Sequence, residues 1–200
     1  MVKNKVAPTD NSAKPNSNTA NAHRLFQHFS PKADVAFIGD SITNGGRWSE
    51  FFPQLKVVNR GVDGDKASDI VSRLSSVLTT KPTKAFIMVG INDIHQYVSV
   101  SDILDNYTKI VDSHTNANIN VFIQSTIQCE VSVCGAMHVK SVNELNKELV
   151  KLALDRNVNF VDLGELSEQE GLNPKYTTDG VHLTAEGYVY WVDKVSALLY

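Results

Sequence analysis

The chain has 200 residues, a net charge of -3, 42% hydrophobic and 20% charged residues, proportions that suit one folded domain with a substantial core. Nothing in that balance supplies the broad basic footprint of a nucleic-acid-binding protein. No stretch approaches the roughly 18–20 consecutive apolar residues that a membrane-spanning helix needs.

In chain order, Met1 to Val6 carries Lys3 and Lys5 but no apolar run follows, so no secretory leader is read in the chain as given. Ala7 to Ala22 is rich in Asn, Ser, Thr, Pro and Lys, too poor in apolar surface to offset the entropy of ordering. Residues 1–24 are therefore expected to form a flexible polar tail and residues 25–200 a single domain. Export with a leader removed and a cytoplasmic location both stay open. Val35-Ala36-Phe37-Ile38 is a short apolar run ending at Gly39-Asp40, the pattern of a buried parallel strand. Lys56 to Asn59 gives a second strand, closed by Gly61 and Gly64. Ala67 to Leu78 places Ile70, Val71, Leu74, Val77 and Leu78 on one helical stripe. Lys84 to Val89 is a third strand stopping at Gly90. A helix over Ser101 to Asp112 follows, with Ser99 or Ser101 as its cap. Ile119 to Ile123 and Val158 to Val161 are the fourth and fifth strands, separated by a long helix from Met137 to Asn157. A final helix runs from Thr184 to Leu199. Strands alternating with helices predict a three-layer α/β/α fold around a parallel sheet of about five strands. Sites in such sheets gather beyond the carboxyl ends of the strands.

Four segments at such ends or turns carry chemistry. Ser41 follows the first strand, where a helix start holds a serine with its own amide facing outward, the arrangement of a nucleophile. Asp179 precedes His182 by one turn's spacing, close enough to fix the tautomer of an imidazole acting as general base. Gly61 can present an unobstructed amide and Asn92 a side-chain N–H, so Ser41, Gly61 and Asn92 together form a candidate oxyanion hole. Asp40 and Asp93 are expected to support the loops. Singly, each feature is ordinary: Asp40, Ser41 or Thr43 as a helix cap, Asp179 and His182 as a solvated turn, Asn59-Arg60-Gly61 as a loop, Asn92-Asp93 as a helix cap. Their joint occurrence, each beside a strand or turn, is what points to ester hydrolysis. His23, His28, His95, His114 and His138 have no such partner nearby in sequence and are read as surface or packing residues.

With Gly39-Asp40-Ser41, Asn59-Arg60-Gly61, Gly90-Ile91-Asn92-Asp93 and Asp179-Gly180-Val181-His182 in this order, the chain resembles the SGNH hydrolase superfamily, or GDSL esterases, over about residues 33–200. The resemblance implies a flavodoxin-like sheet and a site built from Ser41, Gly61, Asn92 and His182, with Asp179 completing the triad. It implies no cofactor and no metal, since Ser, His and Asp suffice for acyl transfer. The Gly-x-Ser-x-Gly elbow of the larger α/β-hydrolases is absent. The segment Asn59 to Gly64 is most similar to small bacterial members that deacetylate carbohydrates and to acetylhydrolases of platelet-activating-factor type. The expected partner is then a small-molecule or carbohydrate ester, such as an O-acetylated sugar or sialic acid. An O-acetyltransferase using the same serine and a non-catalytic binding module on the same scaffold are the alternatives. Gln128 to Met137, Trp48, Ile94 and Tyr97 are candidates for the rim of the site, and Trp48 with Phe51 and Phe52 equally for the core. Arg47 and Arg60 are candidates to meet an anionic sugar. Cys129 and Cys134 fit either a small disulfide loop or two thiols. A structural zinc would need about four ligands, and no second Cys/His cluster accompanies them in sequence.

Overall fold

The computed structural model describes residues 18–168 and 171–200. Five short runs form the sheet: β1 (Val35–Gly39), β2 (Val57–Gly61), β3 (Lys84–Met88), β4 (Asn120–Gln124) and β5 (Asn159–Val161). All pair in parallel, in the order β2-β1-β3-β4-β5. Every residue of β1 is buried, whichever way its side chain points, so the sheet is covered on both faces. That explains why these strands read as continuous apolar runs rather than alternating ones.

The register sets the core. Phe37, Phe86 and Phe122 are partners across β1, β3 and β4 and stack with ring centroids 5.0 and 4.4 Å apart. Trp48 continues the row at 3.9 Å from Phe37 and donates its indole N–H to the Thr43 carbonyl at 2.8 Å. Trp48 is thus a core residue, not part of a rim, and Ile94 is buried with it in the same core.

The helices are α1 (Asn18–His28), α2 (Ser41–Asn44), α3 (Trp48–Phe51), α4 (Ala67–Ser72), α5 (Leu74–Leu78), α6 (Ile91–His95), α7 (Val100–Asn116), α8 (Val131–Cys134), α9 (Ala136–Asp155) and α10 (Ala185–Leu199). Ser99 caps α7, accepting from the Asp102 amide, and Thr184 caps α10. Two-residue strands β6 (Ser167–Glu168) and β7 (Gly171–Leu172) pair antiparallel outside the main sheet. They are too short to leave a periodic signal.

Two expectations are corrected. The helix expected over Ala67 to Leu78 is broken at Arg73, which leaves helical geometry at φ -117°, ψ 18°. Its side chain turns inward: Nε donates to Asp65 at 2.6 Å, and Nη2 donates to the carbonyls of Gly39 and Arg60 at 3.2 and 2.8 Å. The tail assigned to residues 1–24 also ends earlier, because residues 18–24 belong to α1. His23 Nε2 lies 3.0 Å from Asp65 Oδ1, and Phe26 lies under the Arg60 guanidinium at 4.3 Å. These contacts hold a polar segment that has little apolar surface of its own. The rest of the assigned tail, residues 1–17, lies outside the described residues.

Both members of the Asp65–Arg73 pair are buried, with side chains 0% and 3% exposed. Removing one partner strands a charge in the interior. Arg73→Met is expected to lower unfolding free energy by about 3–5 kcal/mol, read from urea denaturation. A loss below about 1 kcal/mol would show that Asp65 does not depend on this partner.

Candidate active site

β1, β2 and β3 end where the strand order reverses, the crevice in which doubly wound sheets place their sites. After β1, Asp40 caps α2, its Oδ1 accepting from the Ile42 amide at 3.0 Å. Ser41 is the first residue of α2, so its amide has no acceptor within the helix. Its hydroxyl lies 2.9 Å from His182 Nε2, across 141 residues of sequence.

His182 is held by its own turn. Asp179 Oδ2 lies 2.7 Å from His182 Nδ1, while Oδ1 accepts from the amides of Val181 and His182 at 2.9 and 2.8 Å. The hydrogen bond with the His182 ring, followed by those two amides, holds the Asp179 carboxyl well below the usual carboxylate range. The turn is anchored on both sides: Glu130 donates its amide to the Gly180 carbonyl at 2.7 Å, and the Gly180 amide donates to Thr177 Oγ1 at 2.9 Å. Tyr188 of α10 donates its hydroxyl to the Ile42 carbonyl at 2.7 Å, tying the helix after His182 to the helix that carries Ser41. The Asp179 and His182 side chains are 53% and 49% exposed, so this is an open site.

Asn92 is the second residue of α6. Its side-chain amide gives one hydrogen to the Asp65 carbonyl at 3.1 Å and keeps the other. Asp93 accepts from the Ala67 amide at 3.0 and 3.3 Å, joining the segment after β3 to the start of α4. Among the described residues, the Asp40 side chain is hydrogen-bonded within its own loop. Burial pushes Asp40 up to about 7 and Asp93 up to about 6, outweighing their amide hydrogen bonds.

Gly61 differs from expectation. Its amide donates to Asn59 Oδ1 at 2.8 Å and is not left free for a substrate oxygen. Its lack of a side chain serves packing, since a Cβ there would lie 2.2 Å from the Asn44 amide nitrogen. Three residues on, Gly64 has φ +79° and open space where a Cβ would point. It lies between Asp63, which accepts from Asn44 Nδ2 at 2.9 Å, and Asp65, whose carbonyl holds Asn92. Among the described residues its amide meets no acceptor. The second glycine of Gly61-Val62-Asp63-Gly64 was the available signal for it. Nothing in sequence marked Tyr188, because its contact is made across 146 residues.

The other nominated residues divide. Arg60 is buried, donating to the carbonyls of Ser76 and Phe29, and does not face a ligand. Arg47 is exposed beside Glu50. Tyr97 is exposed at the edge of a groove of about 440 Å³ lined also by Ile94, Met137 and His138. Cys129 and Cys134 are joined as a disulfide within the Gln128–Met137 segment. His23 is no isolated surface histidine but the partner of Asp65, from a segment 42 residues away. Among the described residues no helix is long and apolar enough to cross a membrane.

The parallel sheet and the Ser41–His182–Asp179 geometry place the protein among α/β hydrolytic folds. Residues 37–190 match the GDSL-like Lipase/Acylhydrolase family, and the chain belongs to that family of carboxylic ester hydrolases. A GDSL-like lipase from Bacteroides thetaiotaomicron shares the fold with a TM-score of 0.79 at 22% identity, over 91% of this chain and 97% of that one. An acetyl xylan esterase from Geobacillus stearothermophilus superposes with a TM-score of 0.70 at 21% identity, over 86% and 96%. In sequence, N-acylneuraminate cytidylyltransferase of Streptococcus agalactiae is 23% identical over 178 residues, 85% of this chain. The chain spans only 41% of the length of that relative.

The buried Asp40 carboxyl has a pH signature. Its pKa is raised in the folded chain, so between about pH 4 and about pH 7 the folded state holds a proton that the unfolded state has lost. Stability from this group is fully present below that window and falls as pH rises through it. Asp40→Asn is expected to match the wild type near pH 4 and to gain on it progressively up to pH 7, measured by urea denaturation across that range. Asp93 is common to both proteins and cancels. A difference that does not vary with pH would overturn the assignment.

Proposed function

We propose that the protein is a serine esterase that removes small acyl groups, acetyl above all, from a carbohydrate through an acyl-enzyme. The observation that carries the reading is the continuous chain from Ser41 Oγ to His182 Nε2 at 2.9 Å and from His182 Nδ1 to Asp179 at 2.7 Å. In this reading Ser41 attacks the ester carbonyl while His182 takes its proton, and Asp179 keeps the imidazole in the tautomer that accepts at Nε2. The oxygen that becomes negative is held by the Ser41 amide, the spare Asn92 N–H and the amide of Gly64, which replaces Gly61 in the role first expected of it. His182 then gives the proton to the sugar oxygen as its bond to the acyl carbon breaks, so the sugar leaves as an alcohol, and a water, deprotonated by the same ring, releases the acid.

The open position of His182 leaves room for a bulky alcohol portion. Two of the similar proteins point the same way by name, one being an acetyl xylan esterase and the other a cytidylyltransferase for an N-acylneuraminate. The substrate class is accordingly an O-acetylated sugar, with acylneuraminates and xylooligosaccharides as the first to compare.

Ser41→Ala is expected to abolish hydrolysis of a chromogenic acetate ester and labelling by a fluorophosphonate, with an unchanged circular dichroism spectrum. Near-wild-type turnover in that variant would remove Ser41 from the role. Asn92→Ala should lower kcat by about 10²–10³ with little change in KM, the loss typical of one oxyanion donor. Across chromogenic esters, acetyl should be cleaved faster than octanoyl; the reverse order would rule out the small-acyl reading.

A further inference from the structure

The loop that carries the disulfide brings together donors that lie far apart in sequence. His95, at the end of α6, offers a ring nitrogen, and Cys129 and Cys134 offer sulfurs, all within 4.8 Å of one another. We propose that, once the disulfide is opened, these three residues form a zinc site, so that metal binding is gated by thiol redox state.

The chemistry of the donor set favours zinc. Two thiolates and one neutral imidazole match a soft, four-coordinate divalent ion, with water completing the tetrahedron. The positions need only small adjustment. With Zn–S near 2.3 Å and Zn–N near 2.0 Å, tetrahedral donors stand roughly 3.3–3.8 Å apart. The sulfurs must therefore separate by less than about 2 Å, and the His95 nitrogen, already within 4.8 Å of both, must draw in by at most about 1.3 Å. Cys129 is fully buried and stays with the core, whereas Cys134 closes the one-turn α8 and is part-exposed, so Cys134 is the partner that shifts. The donors also sit between two parts of the active site: α6 begins with Ile91 and Asn92, and Glu130, next to Cys129, holds the Gly180 carbonyl of the His182 turn.

The opening step is an exchange with a dithiol. One thiolate of the dithiol attacks Cys134 Sγ, breaking the Cys134–Cys129 bond and expelling Cys129 as thiolate. The second thiolate of the reagent attacks its own sulfur in the mixed disulfide, leaves as a cyclic disulfide and frees Cys134. Two electrons pass from the dithiol to the protein, and two protons move to the cysteine sulfurs. Zinc then displaces those two protons, while neutral His95 donates a lone pair without losing one.

The test uses the full chain, either oxidised or reduced with a dithiol and desalted without oxygen, and titrated with zinc and with cobalt(II). The reduced wild type is expected to bind one equivalent per chain, with cobalt showing sulfur-to-metal charge transfer and the intense visible bands of a tetrahedral site. The oxidised protein should show neither. His95→Gln, which leaves the disulfide in place, should weaken binding in the reduced state by at least about tenfold, and Cys134→Ser should remove the charge-transfer band of one thiolate. Failure of the reduced wild type to bind, equal binding by the oxidised protein, or unchanged affinity in His95→Gln would each overturn the proposal. Ser41→Ala is expected to bind metal like the wild type, so this result and that of the esterase assay stand independently.

Discussion

Asp65 and Arg73 meet at 2.6 Å in the interior, and the ends of three strands are organised around that contact. Arg73 also holds the carbonyls of Gly39, at the end of β1, and Arg60, near the end of β2. Asp65 in turn fixes Asn92, beyond β3, through its backbone carbonyl. A charge pair is costly to bury unless its remaining hydrogen-bonding capacity is met. Here strand-end carbonyls meet much of it, and one of the fold's most expensive features becomes the brace of its candidate site. The break between α4 and α5 follows from the same demand, since a continuous helix would aim Arg73 elsewhere.

Asp179, Asp40 and Asp93 show how environment separates residues of one type. Asp179 stands in solvent with two amides and an imidazole as partners, and stays ionised far into acid. Asp40 and Asp93 accept from amides as well, but burial dominates and raises both. An orienting partner for a histidine that becomes cationic must be charged, and Asp179 meets that condition. A carboxyl that caps a helix within the core has no such requirement. Exposure of the Ser41–His182–Asp179 line is compatible with catalysis because its geometry is fixed by a short turn and by Tyr188 rather than by enclosure.

Much of the architecture was legible locally. Each main strand announced itself as an apolar run closed by glycine or a polar turn, and Ser99, one of two candidate caps, marked a helix start by the capping chemistry of its hydroxyl. Asp179 and His182 could be paired from spacing alone, because three residues of turn suffice to bring their side chains together. Arg60 could not be read in this way. An arginine between two strand-end residues looks solvated until the packing of Phe26 and the carbonyls of Phe29 and Ser76 is known.

The sequence by itself determined the five main strands and the longer helices between them, hence the parallel sheet, and it nominated Ser41, His182 and Asp179 as candidates. Those are consequences of periodicity, turn chemistry and short spacings, which act over a few residues. Only the tertiary structure decided that the Gly61 amide is taken by Asn59, that His23 belongs to Asp65, and that His95 lies beside the two cysteines. In the latter two cases the partners come from different elements, and in all three the hydrogen-bond or donor geometry exists only after the sheet has assembled and its loops have packed.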